Sequence, residues 1–175
     1  WGEEDVFHIR EMVYLTQEAR KGLWNFIRAH YSMIDAVKGH IYTGEPLAFL
    51  LDESQIQETI EPYFMARIVD VAQFLRLYPF EGSIRPFHFV VTDPMAEWNN
   101  GIFSVATDRE GTVSVTDEPA GKAVELDIQT LSAMLMGYKR PSYLARIERL
   151  HTDKRTLRLL EEIIPDGQPY FSDYF

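Results

Sequence analysis

Phe87-His88-Phe89-Val90-Val91-Thr92, Ile102-Phe103-Ser104-Val105-Ala106-Thr107 and Thr112-Val113-Ser114-Val115-Thr116 are three short runs that alternate in side-chain character. Asp93-Pro94, Asn99-Asn100-Gly101 and Asp108-Arg109-Glu110-Gly111 punctuate them. Alternation with period two puts successive side chains on opposite faces of a sheet, and Asp, Asn, Pro and Gly supply the turns. The sequence order predicts an antiparallel meander.

Downstream, a fourth strand around Ala123 to Leu126 leads into a helix over Ile128–Met136, with Gly137 as its left-handed cap. Two more helical stretches follow. Ser142 to Leu150 carries Leu144 and Ile147, and Asp153 to Ile164 carries Leu157, Leu160 and Ile164 before Pro165 stops it. Upstream, Phe64 to Val69 reads as a strand. Asp70-Val71-Ala72-Gln73 then has capping-box spacing, and Val71, Phe74, Leu75 and Tyr78 give the next helix its apolar face until Pro79. Strands and helices in these proportions predict an α+β fold, a mostly antiparallel sheet with helices packed on one face.

The front of the chain reads differently. Val6 to Leu15 alternates as a strand, Thr16 caps a helix whose stripe is Ala19, Leu23, Phe26 and Ile27, and that helix ends near Tyr31. A second strand at Met33 to Val37 follows. The loop marked by Gly39, Gly44 and Pro46 contains Leu47-Ala48-Phe49-Leu50-Leu51, an apolar run expected to bury. One helix between two strands is too little to stand alone, so residues 1–54 read as the end of one domain and residues 55–175 as a second, complete one. Trp1 begins in mid-pattern without an initiator Met, while Tyr170-Phe171-Ser172-Asp173-Tyr174-Phe175 ends on packable side chains. The expectation is the back portion of a longer protein whose terminus is buried or working.

Composition narrows the function classes. With 46% hydrophobic residues, 11 Phe, 9 Tyr and 3 Trp in 175 residues, the chain has material for a sizeable core and reads as a folded, soluble protein. No run approaches the roughly 18 consecutive apolar residues of a membrane span, and no leader is visible, so cytoplasmic residence is the default. The formal net charge of −10 argues against a nucleic-acid binder and suits a cationic ligand better, although acidity also simply maintains solubility. Zero cysteines remove disulfides, thiolate nucleophiles and thiolate metal sites. His8, His30, His40, His88 and His151 lie far apart without ligand spacing, and no metal is expected.

Phosphate-binding glycine loops, a Gly-x-Ser-x-Gly elbow and a spaced triad are all absent. The carboxylates of Glu3-Glu4-Asp5 and Glu161-Glu162 read as a chain end and a solvated helix face. Trp98 beside Asn99-Asn100-Gly101 either lines a lipid cavity or, as a lone Trp at a turn more often does, covers a core edge.

Phe64-Met65-Ala66-Arg67-Ile68-Val69-Asp70-Val71, the order of strands and helices after it, and the aromatic terminus Tyr170 to Phe175 together resemble the C-terminal part of the enhanced-intracellular-survival (Eis) acetyltransferases of the GNAT superfamily. The resemblance covers the whole chain. It implies the end of a degenerate GNAT-like α/β domain over residues 1–54, then a sterol-carrier-protein-like domain over 55–175. It also implies acetyl transfer from acetyl-CoA to primary amines, of aminoglycoside or lysine type. In that family the last residue's carboxylate acts as general base, and the matching residue is Phe175. A carboxylate bordered by Phe171 and Tyr174 would be partly desolvated, which raises its proton affinity.

Asp70, Asp173 and Tyr174 are the candidate substrate-binding residues, with a capping role sufficient for Asp70 and packing the alternative for the aromatic tail. The acetyl-CoA pyrophosphate loop is missing, so the cofactor belongs to the parent enzyme, is not bound by these residues, and the chain alone is expected to be inactive. The implied partners are an N-terminal acetyltransferase domain, a small cationic amine and further copies in a homo-oligomer such as a hexamer. Two other readings stand beside this one: a lipid carrier with an apolar tunnel, and an assembly module that uses Leu47 to Leu51.

Overall fold

Thr16 starts the first helix as its chemistry predicts: its hydroxyl accepts from the Ala19 amide at 3.1 Å. The computed structural model describes residues 5–41, 44–45, 47–52, 55–107, 111–169 and 171. Contacts divide the chain into two units, Trp1–Glu58 and Thr59–Phe175.

In the first unit, β1 (Val6–Ile9) and β2 (Ala36–Gly39) pair in parallel, with α1 (Gln17–Arg28) between them. Phe7, Phe26 and His30 pack as a ring cluster with centroids 4.8 to 6.5 Å apart. Both strands are shorter than their alternation suggested or shifted from it. The ladder ends where β2 ends, so Val13 and Leu15 have no partner strand and are exposed. Residues 30–33 are held in turns by His30 N–H to Ile27 O and Met33 N–H to His30 O, which delays β2 to Ala36. The apolar run at 47 folds as one helical turn, α2 (Leu47–Leu50), rather than a loop. It does not bury: Phe49 is 87% exposed. Among the described residues of this unit only Ile27 is buried.

The second unit holds the core. Its elements run α3 (Val71–Leu77), β3 (Phe87–Thr92), a 3-10 turn (Glu97–Asn99), β4 (Gly101–Thr107), β5 (Val113–Thr116), β6 (Lys122–Asp127), α4 (Ile128–Leu135), α5 (Pro141–Arg146), β7 (Leu150–His151) and α6 (Lys154–Ile163). The strand order is β5-β4-β3-β6-β7. The predicted meander β3-β4-β5 forms, and β6 then lies beside β3 in parallel, the one parallel pairing of this sheet. Register places Phe87 opposite Val105, Phe89 opposite both Phe103 and Val124, and Leu126 opposite Leu150. Residues directly opposite share a face. That face meets Val71 and Leu75 of α3, Ile128, Leu131 and Met134 of α4, Leu144 of α5 and Leu160 and Ile163 of α6 in one buried cluster. The fold is α+β with helices on one face of a mostly antiparallel sheet.

Two expectations fail for identifiable reasons. Phe64 to Val69 joins no ladder, and side chains instead take the Ile68 N–H and the Val69 carbonyl. Ser132 Oγ accepts from Ile68 N–H at 3.1 Å, and Trp98 Nε1 and Asn99 Nδ2 donate to Val69 O at 2.8 and 3.0 Å. The helix expected over Ser142 to Leu150 stops at Arg146. Glu148 turns into the left-handed region at φ 59°, and Leu150 and His151 become β7 against β6.

Candidate functional site

The resemblance drew attention to Phe64 to Asp70, and the structure shows what holds that segment. Asp93, in the turn after β3, has a side chain with no exposure to solvent. Arg67 Nη2 donates to Asp93 Oδ1 at 2.7 Å and Oδ2 at 2.6 Å, and Asn99 Nδ2 donates to Oδ2 at 3.0 Å. The Met95 and Ala96 amides donate to Oδ1 at 3.0 and 3.1 Å. Burial pushes this carboxyl up, but hydrogen bonds from Asn99, the Met95 amide, Arg67 and the Ala96 amide outweigh it and hold the group at about 2, below its ordinary 3.8. Asn99 also accepts from the Val71 amide at 3.1 Å. One buried carboxylate and one amide side chain thus tie residues 67–71 to the β3–β4 turn.

Asp70 sits at the end of that segment, exposed, as the N-cap of α3. Its Oδ1 accepts from the Gln73 amide at 2.9 Å. Trp98 is 67% exposed, with its indole N–H on Val69 O, and it covers the segment's edge. Asp173, Tyr174 and Phe175 lie outside the described residues.

The chain leading toward those residues is anchored at three levels. Arg140, just before α5, donates through Nη1 to Ile164 O at 2.9 Å and Pro165 O at 3.1 Å, through Nη2 to Glu161 O at 2.7 Å, and through Nε to Glu161 Oε2 at 2.9 Å. The Glu161 and Ile164 carbonyls belong to the end of α6, which has no intrahelical donors left for them, while Pro165 O lies just past it. Glu161 Oε1 accepts in turn from the Ser142 amide at 2.6 Å. Burial raises the Glu161 carboxyl, but Ser142 and Arg140 prevail and lower it.

Further along, Gly137 adopts φ 76°, and a Cβ on it would collide with the carbonyl of Gly167. Pro165, Gly167, Gln168 and Pro169 line an open cleft of about 210 Å³ with Tyr78, Pro79, Leu135, Met136 and Gly137. Burial pushes the Tyr78 phenol up to about 12, against the opposing pull of Arg140. At the far end, the Phe171 ring lies 5.7 Å from Phe64 and 6.3 Å from Tyr63. The tail therefore returns to the start of the segment that Asp93 anchors.

Sequence reading pointed to Asp70 and the terminus but not to Arg67, Asp93, Asn99, Gly137 or Arg140 as a working group. Asp93-Pro94 and Asn99-Asn100-Gly101 registered only as turns. No local signal links Arg67 to a carboxylate 26 residues away.

Among the described residues no group of three or more His, Asp and Glu is placed to hold a metal, and no helix is long and apolar enough to cross a membrane. The parallel βαβ of the first unit offers a helix N-terminus after a strand, the kind of place that can hold a pyrophosphate. It does not fit. Thr16 occupies the Ala19 amide, Glu18 puts negative charge in the first turn, and residues 10–16 contain no glycine.

A parallel βαβ unit followed by an α+β unit makes this a two-part chain, and the two parts match two families. Residues 71–172 match the sterol carrier protein domain family, and residues 1–68 match the acetyltransferase (GNAT) domain family. The chain belongs to the sterol carrier protein domain family through that match, joined to a GNAT portion in an Eis-like fold.

Among solved structures, a probable N-acyltransferase of unknown function from Enterococcus faecalis is 32% identical over 97% of this chain and 44% of its own, with TM-score 0.84. A GCN5-related N-acetyltransferase from Anabaena variabilis is 28% identical over 97% of this chain and 44% of its own, with TM-score 0.79. Eis1 from Mycobacterium abscessus, at 19% identity over 99% of this chain and 44% of its own, shares the fold with TM-score 0.75. No match was found among curated proteins. The chain spans less than half the length of these solved relatives.

Proposed function

We propose that this chain is part of an acetyl-CoA-dependent N-acetyltransferase of primary amines and that it supplies the general base, the terminal carboxylate of Phe175. The supporting observation is the docking of Phe171 on Tyr63 and Phe64. Four residues of extended chain reach at most about 14 Å, so holding Phe171 confines the volume its terminal carboxylate can sweep. A confined base acts at high effective concentration.

An ammonium substrate cannot attack an acyl carbon. Transfer of its proton to the carboxylate leaves the nitrogen lone pair free for that attack. Acetyl-CoA, held by the part of the parent enzyme that precedes these residues, would supply the acetyl group. Asp70, Asp173 and Tyr174 form the proposed amine-facing wall, and two carboxylates there favour a cation, as does the net charge of −10. We further propose a cytoplasmic homo-oligomer, with the exposed Phe49 turn as one contact.

Full-length protein assayed by release of the CoA thiol should acetylate polyamines, aminoglycosides or lysine peptides. Failure on every amine would remove this reading.

Lipid carriage is the second reading, favoured by the sterol carrier family match. The core cluster weighs against it, since Phe87, Phe89, Leu131 and Leu160 occupy the sheet–helix interior at 0 to 1% exposure. Saturable binding of a fatty acid or sterol by the purified chain would restore it.

A further inference from the structure

We infer that Gly137 and Arg140 are positioning residues: together they clamp the segment after α6 and set the direction in which the chain leaves toward Phe171. The inference rests on the reading of Phe175 as base, and it concerns residues that neither family match assigns.

The clamp follows from two different chemistries. A guanidinium is a planar fork with fixed donor directions. Arg140 spends that fork on Glu161 O, Glu161 Oε2, Ile164 O and Pro165 O. Two of these acceptors close the helix, and a cation at a helix C-terminus also complements its dipole. Pro165 O lies past the helix end, so its bond serves a separate purpose: it fixes the direction in which the chain leaves.

Gly137 works by absence. Its left-handed φ ends α4, a role Asn could also fill. Its missing side chain is a second requirement, because the Gly167 carbonyl occupies the place a Cβ would take. Gly167 itself shows open space at its own Cβ position, so the constraint is one-sided and belongs to Gly137. Pro165 and Pro169 bracket the crossing and limit the conformations available between the clamp and Phe171.

These properties separate packing from positioning. Gly137→Asn keeps a residue that tolerates positive φ but introduces the Cβ. Arg140→Lys keeps the charge but loses the fork. In the full-length enzyme, exchange of the hydrogen-bonded amides of Tyr138 and Ile164, one beside each half of the clamp, is expected to rise in both variants. With the melting temperature near wild type, kcat should fall on the order of 10- to 100-fold while KM for acetyl-CoA holds, the size of loss that follows misplacing a catalytic group by about 1 Å.

Wild-type exchange in both variants would overturn the clamp. Raised exchange with unchanged kcat, in an enzyme that deletion of Phe175 inactivates, would overturn the positioning role. If that deletion leaves turnover intact, the base reading falls by itself, and raised exchange still establishes the clamp.

Discussion

Arg67 and Asp93 meet through a single nitrogen: Nη2 of the arginine lies 2.7 Å from one carboxylate oxygen and 2.6 Å from the other. The arginine side chain is one-third exposed while the aspartate is fully enclosed, so the pair joins a surface segment to the interior. Asn99 completes the arrangement by bonding Asp93 with one donor and the Val71 amide with its carbonyl. The segment Phe64 to Asp70 has no strand partner, and these side chains are what keep it in place.

Removal of one partner should therefore cost more than removal of both. Arg67→Met leaves the enclosed carboxylate without its cation, and thermal unfolding should shift down by about 5 °C or more. Adding Asp93→Asn should recover part of that loss. A double-mutant cycle that shows simple additivity would contradict the pairing.

The same carboxylate fixes an acid response. Asp93 titrates near 2 in the folded protein against 3.8 ordinarily, and Asp153 and Glu161 are also lowered. Each then binds protons more readily when unfolded. The stability they contribute is complete above the unfolded values and drains away as pH falls from about 4 toward about 2. Urea midpoints measured across that window should fall steeply, and Asp93→Asn should flatten the slope. A midpoint independent of pH there would refute the assignment.

Tyr78 gives the opposite sign. Its phenol is raised to about 12 from 10.0 chiefly by burial, so the unfolded state ionises first. Stability linked to it is intact below pH 10 and lost as pH rises through 12. Tyr78 lines the same cleft as Gly167 and Pro169, so ultraviolet titration reads the packing of that segment. Comparison of wild type with Tyr78→Phe should isolate one late-ionising phenol, and its absence would mean that the phenol itself is exposed to water.

Local chemistry was the legible part. Thr16 and Asp70 cap α1 and α3 as their spacing predicts, Gly137 takes the left-handed turn, and β3, β4 and β5 pair as alternation and turn residues indicate. Alternation reports two-sidedness, not the presence of a partner strand, which is why it overstates the strand content of Phe64 to Val69 and of the residues after β1. A two-residue strand such as β7 carries no period at all. Arg67 with Asp93, and Gly137 with Gly167, are juxtapositions made by tertiary structure. Of the expected site, Asp70 is visible in place as a cap, while the roles of Asp173, Tyr174 and Phe175 came from resemblance to a family rather than from pattern.

Deleting Phe175 from the full-length enzyme tests its carboxylate as the general base most directly. Acetyl-CoA binding and the melting temperature should stay as in wild type, while turnover on a primary amine falls by at least about 100-fold near neutral pH, the scale of a lost general base. Unchanged turnover with the deletion confirmed by mass would contradict the account and leave the aromatic tail a packing device.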